Sequence, residues 1–225
     1  MIDIFNSQAF GLMLTTLFYI IGDFLYKKTK FPLFNPLLVA ASMLIIFILI
    51  FDIDVNSFVT DLSGINVFLG PLIVCLALPI AKNIELIKKN LLPIIVGAVV
   101  GAISTVIVVI VMGNLLGLEE VLIASLIPKS TTTPIAIEIA NNLGGIRAIT
   151  VAVVILSAVI GTIIIPILVK LCKVTDPLII GMSLGSTSHA VGTAKALEMN
   201  PTAGAIAGVA LVFSGLITVL LAMFL

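Results

Sequence analysis

Apolar residues dominate six stretches of this chain: Ala9–Tyr26, Pro36–Phe51, Ile65–Ala81, Leu92–Met112, Ile146–Leu171 and Ala203–Leu225. Runs of roughly 17–25 such residues are what a helix needs to cross a bilayer. Two further regions of about 24 residues, Glu119–Asn142 and Asp176–Met199, break the rule in the same way. Each has an apolar arm, a polar centre of small residues and a second arm. The centres read PKSTTTP (Pro128–Pro134) and GSTSHAVGT (Gly185–Thr193). The pattern predicts an all-α polytopic membrane protein with about six full transmembrane helices and two interrupted helical segments. We read residues 1–225 as one integral membrane domain, with scaffold spans in 1–90 and both interrupted segments in 91–225.

Whether the interrupted segments are re-entrant hairpins or broken crossing helices is not decided by their length. An arm of about 9 residues rises roughly 14 Å, enough to reach the midplane, while 24 helical residues could also span. Lysine placement favours hairpins. Lys27, Lys28 and Lys30 follow the first span, and Lys82, Lys88 and Lys89 follow the third. With those clusters in the cytoplasm, the N-terminus lies outside. A hairpin over Glu119–Asn142 then sends Lys170 and Lys173 to the cytoplasm as well, whereas a crossing segment exposes them outside. The two segments lie about 57 residues apart, each after a full span, with Ser130-Thr131-Thr132 and Ser186-Thr187-Ser188 similarly placed. This points to an internal repeat, inverted if the segments are hairpins, as in secondary transporters with broken helices meeting near the midplane.

Composition narrows the partners. The chain is 61% hydrophobic and 10% charged, with mean hydropathy +1.37. Its formal net charge is zero, so there is no basic field for nucleic acid, and the lipid bilayer is its surroundings. Cys75 and Cys172 lie in apolar segments and read as small hydrophobes rather than a disulfide. The N-terminal stretch MIDIFNSQAF lacks a positive region, so the first apolar run reads as a retained span.

The polar centres carry the chemistry. Pro128 and Pro134 remove amide donors and disrupt regular helix between them. The arm beginning near Thr133 presents free N–H groups at a positive dipole end, which suits an anion. Lys129 adds a full charge, and Ser130, Thr131, Thr132 and Thr133 add hydroxyls. Hydroxyls serving only to satisfy broken backbone would leave Lys129 unexplained, because an intramembrane lysine costs at least ~2.5 kcal/mol. The second centre offers Ser186, Ser188, His189, Gly192 and Thr193. His189 is the sole histidine, so it forms no histidine-based metal site; it is either a packing residue or, on the sharper reading, a substrate ligand or a proton carrier. Glu138, on the second arm of the first segment, is the other proton-coupling candidate. Lys195 and Glu198 read as a surface pair, and Gly97-x-x-x-Gly101, Gly181-x-x-x-Gly185 and Gly204-x-x-x-Gly208 as close-packing sites. Nucleophile-elbow, Walker and zinc-protease motifs are missing, so the expectation is a non-enzyme without cofactor or metal.

At the two centres the chain resembles the LrgB/CidB family, which includes bacterial YohK proteins and a domain of the plastid glycolate/glycerate transporter. The family patterns run close to P-K-S-V-T-T-P-I-A and S-H-A-x-G-T-A; here they are PKSTTTPIA (Pro128–Ala136) and SHAVGTA (Ser188–Ala194). The likeness extends from about Gly70 to the C-terminus, including LALPIAKN (Leu76–Asn83) and NNLGGI (Asn141–Ile146). Thr131 stands where valine is usual and Arg147 where proline is common. The resemblance implies one of two roles. One is an antiholin-like or holin-associated regulator of murein hydrolase activity and autolysis, acting with an LrgA/CidA-type partner. The other is a transporter of small carboxylates of the glycolate, glycerate, lactate and pyruvate type. A lysine and a hydroxyl cluster at two inward-facing breaks favour the second. The expectation is therefore a secondary transporter in the cell membrane, a homodimer, holding a small carboxylate anion at the two centres.

Overall fold

The computed structural model describes residues 7–29, 34–55, 58, 71, 75, 78 and 80–225, and among these every regular element is helical. The predicted span Ile65–Ala81 falls mostly outside the described residues. The chain divides into two compact units, Met1–Cys75 and Leu76–Leu225.

In the first unit, α1 (Gln8–Thr29) and α2 (Pro36–Ile50) form an antiparallel pair. Their sense follows from contacts at both ends: Phe10 approaches Phe47, while Gly22 lies so close to Pro36 that an added methyl would meet Pro36 backbone at 2.9 Å. Asn35 caps α2 by accepting the Leu37 N–H at 2.9 Å, and Pro36 starts the helix where no intrahelical donor is needed.

The second unit contains α3 (Ile84–Lys89), α4 (Leu91–Leu115), α5 (Glu120–Leu126), α6 (Thr133–Asn142), α7 (Arg147–Leu171), α8 (Pro177–Met199) and α9 (Pro201–Ala222). Helices α1, α4, α7 and α9 are long and apolar enough to cross a membrane, and α2 is a shorter apolar helix. These match five of the predicted spans to within a few residues.

Both interrupted segments fold back on themselves. In the first, α5 and α6 flank a break at 127–132. A straight continuation would carry the end of α6 about 15 Å beyond the break. Instead the chain returns to α5: Ser125 Oγ accepts the Ile146 N–H at 2.7 Å, and Thr150 Oγ1 donates to the Ser125 carbonyl at 3.0 Å. The NNLGGI turn makes that return possible. Gly144 has φ +78°, and Gly145 packs where a methyl would meet Ser125 N at 2.9 Å. Ser125→Ala leaves the Ile146 N–H without its acceptor. It should cost about 1–3 kcal/mol, seen as a lower Tm in detergent.

In the second segment, α8 bends at Ser188 and His189, the latter at φ 39°, ψ −129°. A methyl on Gly192 would strike the Leu184 carbonyl oxygen, yet residues eight apart in straight helix are about 12 Å distant. The first arm is α8a and the second α8b. Both lie on α9. Gly181 and Gly185 abut Ala203 and Ala207, so α8a runs parallel to α9; Gly204 abuts Leu197 and Gly208 faces Thr193, so α8b runs antiparallel. Gly181, Gly185 and Gly204 thus sit at close helix crossings against backbone, whereas Gly97 lies against the end of the Met182 side chain and Gly101 and Gly208 have looser neighbours.

Chain direction follows throughout this unit. Helix α4 is parallel to α8a, since Gly97 meets Met182 and Gly101 approaches Ser186 at 4.0 Å. Helix α7 is antiparallel to α8a: Val154 reaches His189, Gly161 abuts Ser188, and Ile165 and Val169 lie on the cluster holding Leu184 and Ile180. Helix α6 is parallel to α9, with Ile135 against Gly215, and Leu143 and Leu221 together in a core cluster. The series α4, α5, α6 therefore repeats in α7, α8a, α8b with every direction reversed. The predicted inverted repeat is present, and its hairpins enter from opposite ends. Lys170 and Lys173 lie at the end where Lys82, Lys88 and Lys89 precede α4, away from Glu119 and Glu120.

Candidate functional site

The two hairpin tips occupy the same depth. Against α9, the arms of the second hairpin register at Ala207 and Gly208, and α6 registers at Gly215. Both tips then fall between Gly208 and Gly215, an interval of about 10 Å along the helix. Helix α7 runs past the second tip, with the Val154 carbonyl bonded to His189 and Gly161 abutting Ser188.

At the first tip, Thr131 is fully buried and its hydroxyl donates to the Pro128 carbonyl at 2.9 Å. The position that departs from the family pattern therefore spends its extra hydroxyl on the backbone. In Thr131→Val the Pro128 carbonyl keeps the Thr131 N–H at 3.0 Å, so the loss should be small, about 1 kcal/mol, read as a slightly lower Tm in detergent. Ser130 is buried, and its hydroxyl has no partner. Lys129 is half-buried and forms no ion pair among the described residues. Thr132 is the residue before α6 and makes no side-chain cap, so the amides of Thr133 and Ile135 receive none from it, and Pro134 has none to offer. Thr132 and Thr133 are half-buried. Lysine, a hydroxyl and helix-end amides thus share one tip.

The second tip is more enclosed. Ser188 is fully buried with an unpartnered hydroxyl, and His189 is 6% exposed. His189 Nε2 lies 3.2 Å from the Val154 carbonyl. A carbonyl only accepts, so Nε2 carries the proton and donates, leaving Nδ1 as the second position of the ring. A bulky residue at this positive φ is strained by about 1–3 kcal/mol, and such strain concentrates at functional sites. Ser186 and Thr193 spend their hydroxyls on the Met182 and His189 carbonyls at 2.6 and 3.0 Å. Gly192 packs against Leu184 and Ser188.

Glu138 is exposed on α6, and no ion pair joins it to Lys129 among the described residues. Lys195 and Glu198 pair at 2.9 Å with mostly exposed carboxylate, a surface pair of small energetic value. No group of three His, Cys, Asp or Glu side chains gathers among the described residues.

One residue escaped the sequence reading. Ser214, in the middle of α9, is 3% exposed and has an unpartnered hydroxyl. Its only signal in the sequence is a Ser-Gly pair inside an apolar span. What singles it out is burial without a partner, which no pattern reports.

A sequence profile of the LrgB-like family matches residues 15–225. This chain belongs to the LrgB-like family. Among its relatives, the antiholin-like protein LrgB of Bacillus cereus (strain B4264) is 35% identical over 214 residues, covering 95% of this chain and 93% of the relative. The antiholin-like protein LrgB of Bacillus anthracis (strain A0248) shows the same identity and coverage. No solved structure matches the chain significantly. For a member of the LrgB-like family, the two hairpin tips coincide with the PKSTTTP and SHAVGT stretches that carried the resemblance.

Proposed function

We propose that this LrgB-like protein is a secondary transporter of small monocarboxylates bearing a 2-hydroxy or 2-oxo group. The observation that carries the proposal is two inverted hairpins whose tips reach one level along α9, with Lys129 on one tip and buried hydroxyls on both, Ser130 and Ser188, that have no partner among the described residues. An orphan hydroxyl in a buried site costs about 1–3 kcal/mol, which a ligand oxygen would recover. Lys129 and the amides at the start of α6 hold the carboxylate; Ser130, Ser188 and His189 meet the remaining oxygens. His189 and Glu138 are the groups that couple the cycle to protons. Binding and release complete the cycle without bond-making, cofactor or metal.

The test is counterflow of labelled glycolate, lactate or pyruvate into liposomes holding the purified protein. Saturable flux that unlabelled substrate competes is expected; its absence removes the transporter reading. The lysine-rich end is cytoplasmic in this scheme, with the N-terminus outside and the protein a homodimer in the plasma membrane. In a background with Cys75 and Cys172 replaced, a membrane-impermeant thiol reagent should label Arg147→Cys in intact cells and spare Lys173→Cys. The reverse result inverts the topology.

The names of the Bacillus relatives favour a second reading, an antiholin-like regulator of autolysis working with an LrgA/CidA-type membrane partner. The two readings part at one variant. If regulation is the primary role, a transport-dead Lys129→Ala protein restores normal autolysis to a deletion strain.

A further inference from the structure

Hydroxyls in membrane helices usually bond back to the carbonyl one turn earlier. This chain follows that habit widely: Thr15, Thr16, Ser104, Ser125, Ser183, Ser186 and Thr218 each donate to a carbonyl four residues before. Ser214 does not. Its hydroxyl ignores the Ala210 carbonyl and finds no other partner among the described residues, although the residue is 3% exposed. Thr218, one turn on, donates to the Ser214 carbonyl at 2.7 Å, so the backbone there is regular helix. The Ser214 hydroxyl is thus left unspent at a buried position of α9.

Register says what lies in front of it. Gly185 of α8a abuts Ala207, and the two helices are parallel, so the tip residue His189 reaches about the level of Leu211. Ile135 of α6 touches Gly215, also in parallel, so Thr132 at the first tip reaches about the level of Val212. Ala203, Ala207, Ala210 and Ser214 form one buried stripe of α9, and Ala203 and Ala207 carry α8a. Ser214 is the next polar position on that stripe, and along the helix axis its level is within a turn of both tips. It belongs to a full-length helix, not to a hairpin.

We infer that Ser214 is a ligand-binding residue that recognises the oxygen on the carbon next to the carboxylate, selecting 2-hydroxy and 2-oxo acids over acids with a bare methyl or methylene there. The inference rests on the carboxylate reading above. The charge of such a ligand is met at the first tip by Lys129 and the α6 amides. Besides Ser130 and Ser188 on the tips, Ser214 is the third buried hydroxyl left unspent, and it alone stands on the α9 wall, where the neighbouring oxygen can be met from outside the hairpins. A serine hydroxyl donates to a ketone and both donates to and accepts from an alcohol, so one residue serves both substrate types. An acid lacking that oxygen leaves Ser214 buried and unpaired, which is how a polar site rejects a near-isostere.

The experiment compares glycolate with acetate, its analogue without the hydroxyl, in liposomes holding wild type or Ser214→Ala. Wild type should favour glycolate in kcat/KM, and Ser214→Ala should reduce that preference by about tenfold, mainly through the glycolate KM. A variant with lower flux but an unchanged glycolate-to-acetate ratio overturns the inference while leaving the transporter reading intact. Wild type with no carboxylate flux removes both. If Ser214→Ala fails to assemble, Ser214→Cys in a background lacking Cys75 and Cys172 gives a second measurement. Glycolate, and not acetate, should protect that thiol from a methanethiosulfonate reagent; equal protection by both, or by neither, overturns the assignment.

Discussion

Lys129→Met should lower glycolate counterflow roughly 10–100-fold while leaving the purified protein at least as stable as wild type. The two effects have opposite signs because they come from different states of the site. On the carboxylate reading proposed above, Lys129 would supply the bound anion with a charge-assisted contact worth about 1.5–3 kcal/mol. Without one, the ammonium has no ion-pair partner among the described residues and is half-buried at membrane depth, where a lysine costs at least ~2.5 kcal/mol. Methionine keeps the length and apolar stem of the side chain and removes that cost. Counterflow and a thermal melt of the same preparation check both halves. A variant that loses flux and Tm together would mean that Lys129 holds the tip together rather than holding substrate.

Gly192→Ala should act through packing alone. The added methyl would meet the Leu184 carbonyl oxygen and lie 2.7 Å from Ser188 Cβ, atoms of the opposing arm at the tip. Backbone cannot step aside as a flexible side chain can, so the hairpin must splay. Overpacking of this kind costs about 1–3 kcal/mol, or a Tm lowered by roughly 2–12 °C in a chain of this size. Transport should fall with it, because Ser188 and His189 sit at that tip. Gly101→Ala is the matched control: its nearest neighbour is Ser186 Oγ at 4.0 Å, an ordinary contact. Its Tm should stay within about 1 °C of wild type. Equal damage from both variants would remove the packing explanation.

How far the site was legible depended on the kind of signal each residue left. Lys129 and the two prolines stood out because charge and missing amides conflict with lipid whatever the fold. Ser130 and Thr131 could not be told apart in sequence, yet one hydroxyl is unspent and the other is bonded to Pro128. Ser186 and Ser188 differ in the same way. Ser214 left almost no trace, since a serine within a span is ordinary until its partner is sought.

By itself the sequence determined that the chain is a multi-span membrane protein, where five of its spans lie to within a few residues, which two segments are interrupted and which family it belongs to. Those properties follow from apolar run length and local proline, glycine and lysine chemistry, which act without reference to distant contacts. Only the tertiary structure decided that the interrupted segments turn back rather than cross, that they enter from opposite ends, and which hydroxyls remain unspent at their tips. The reason is physical: a helix arm has the same local sequence whichever way its successor runs. Direction is chosen by close approaches such as Ser125 to Ile146 and Gly192 to Leu184, between residues too far apart in straight helix to meet.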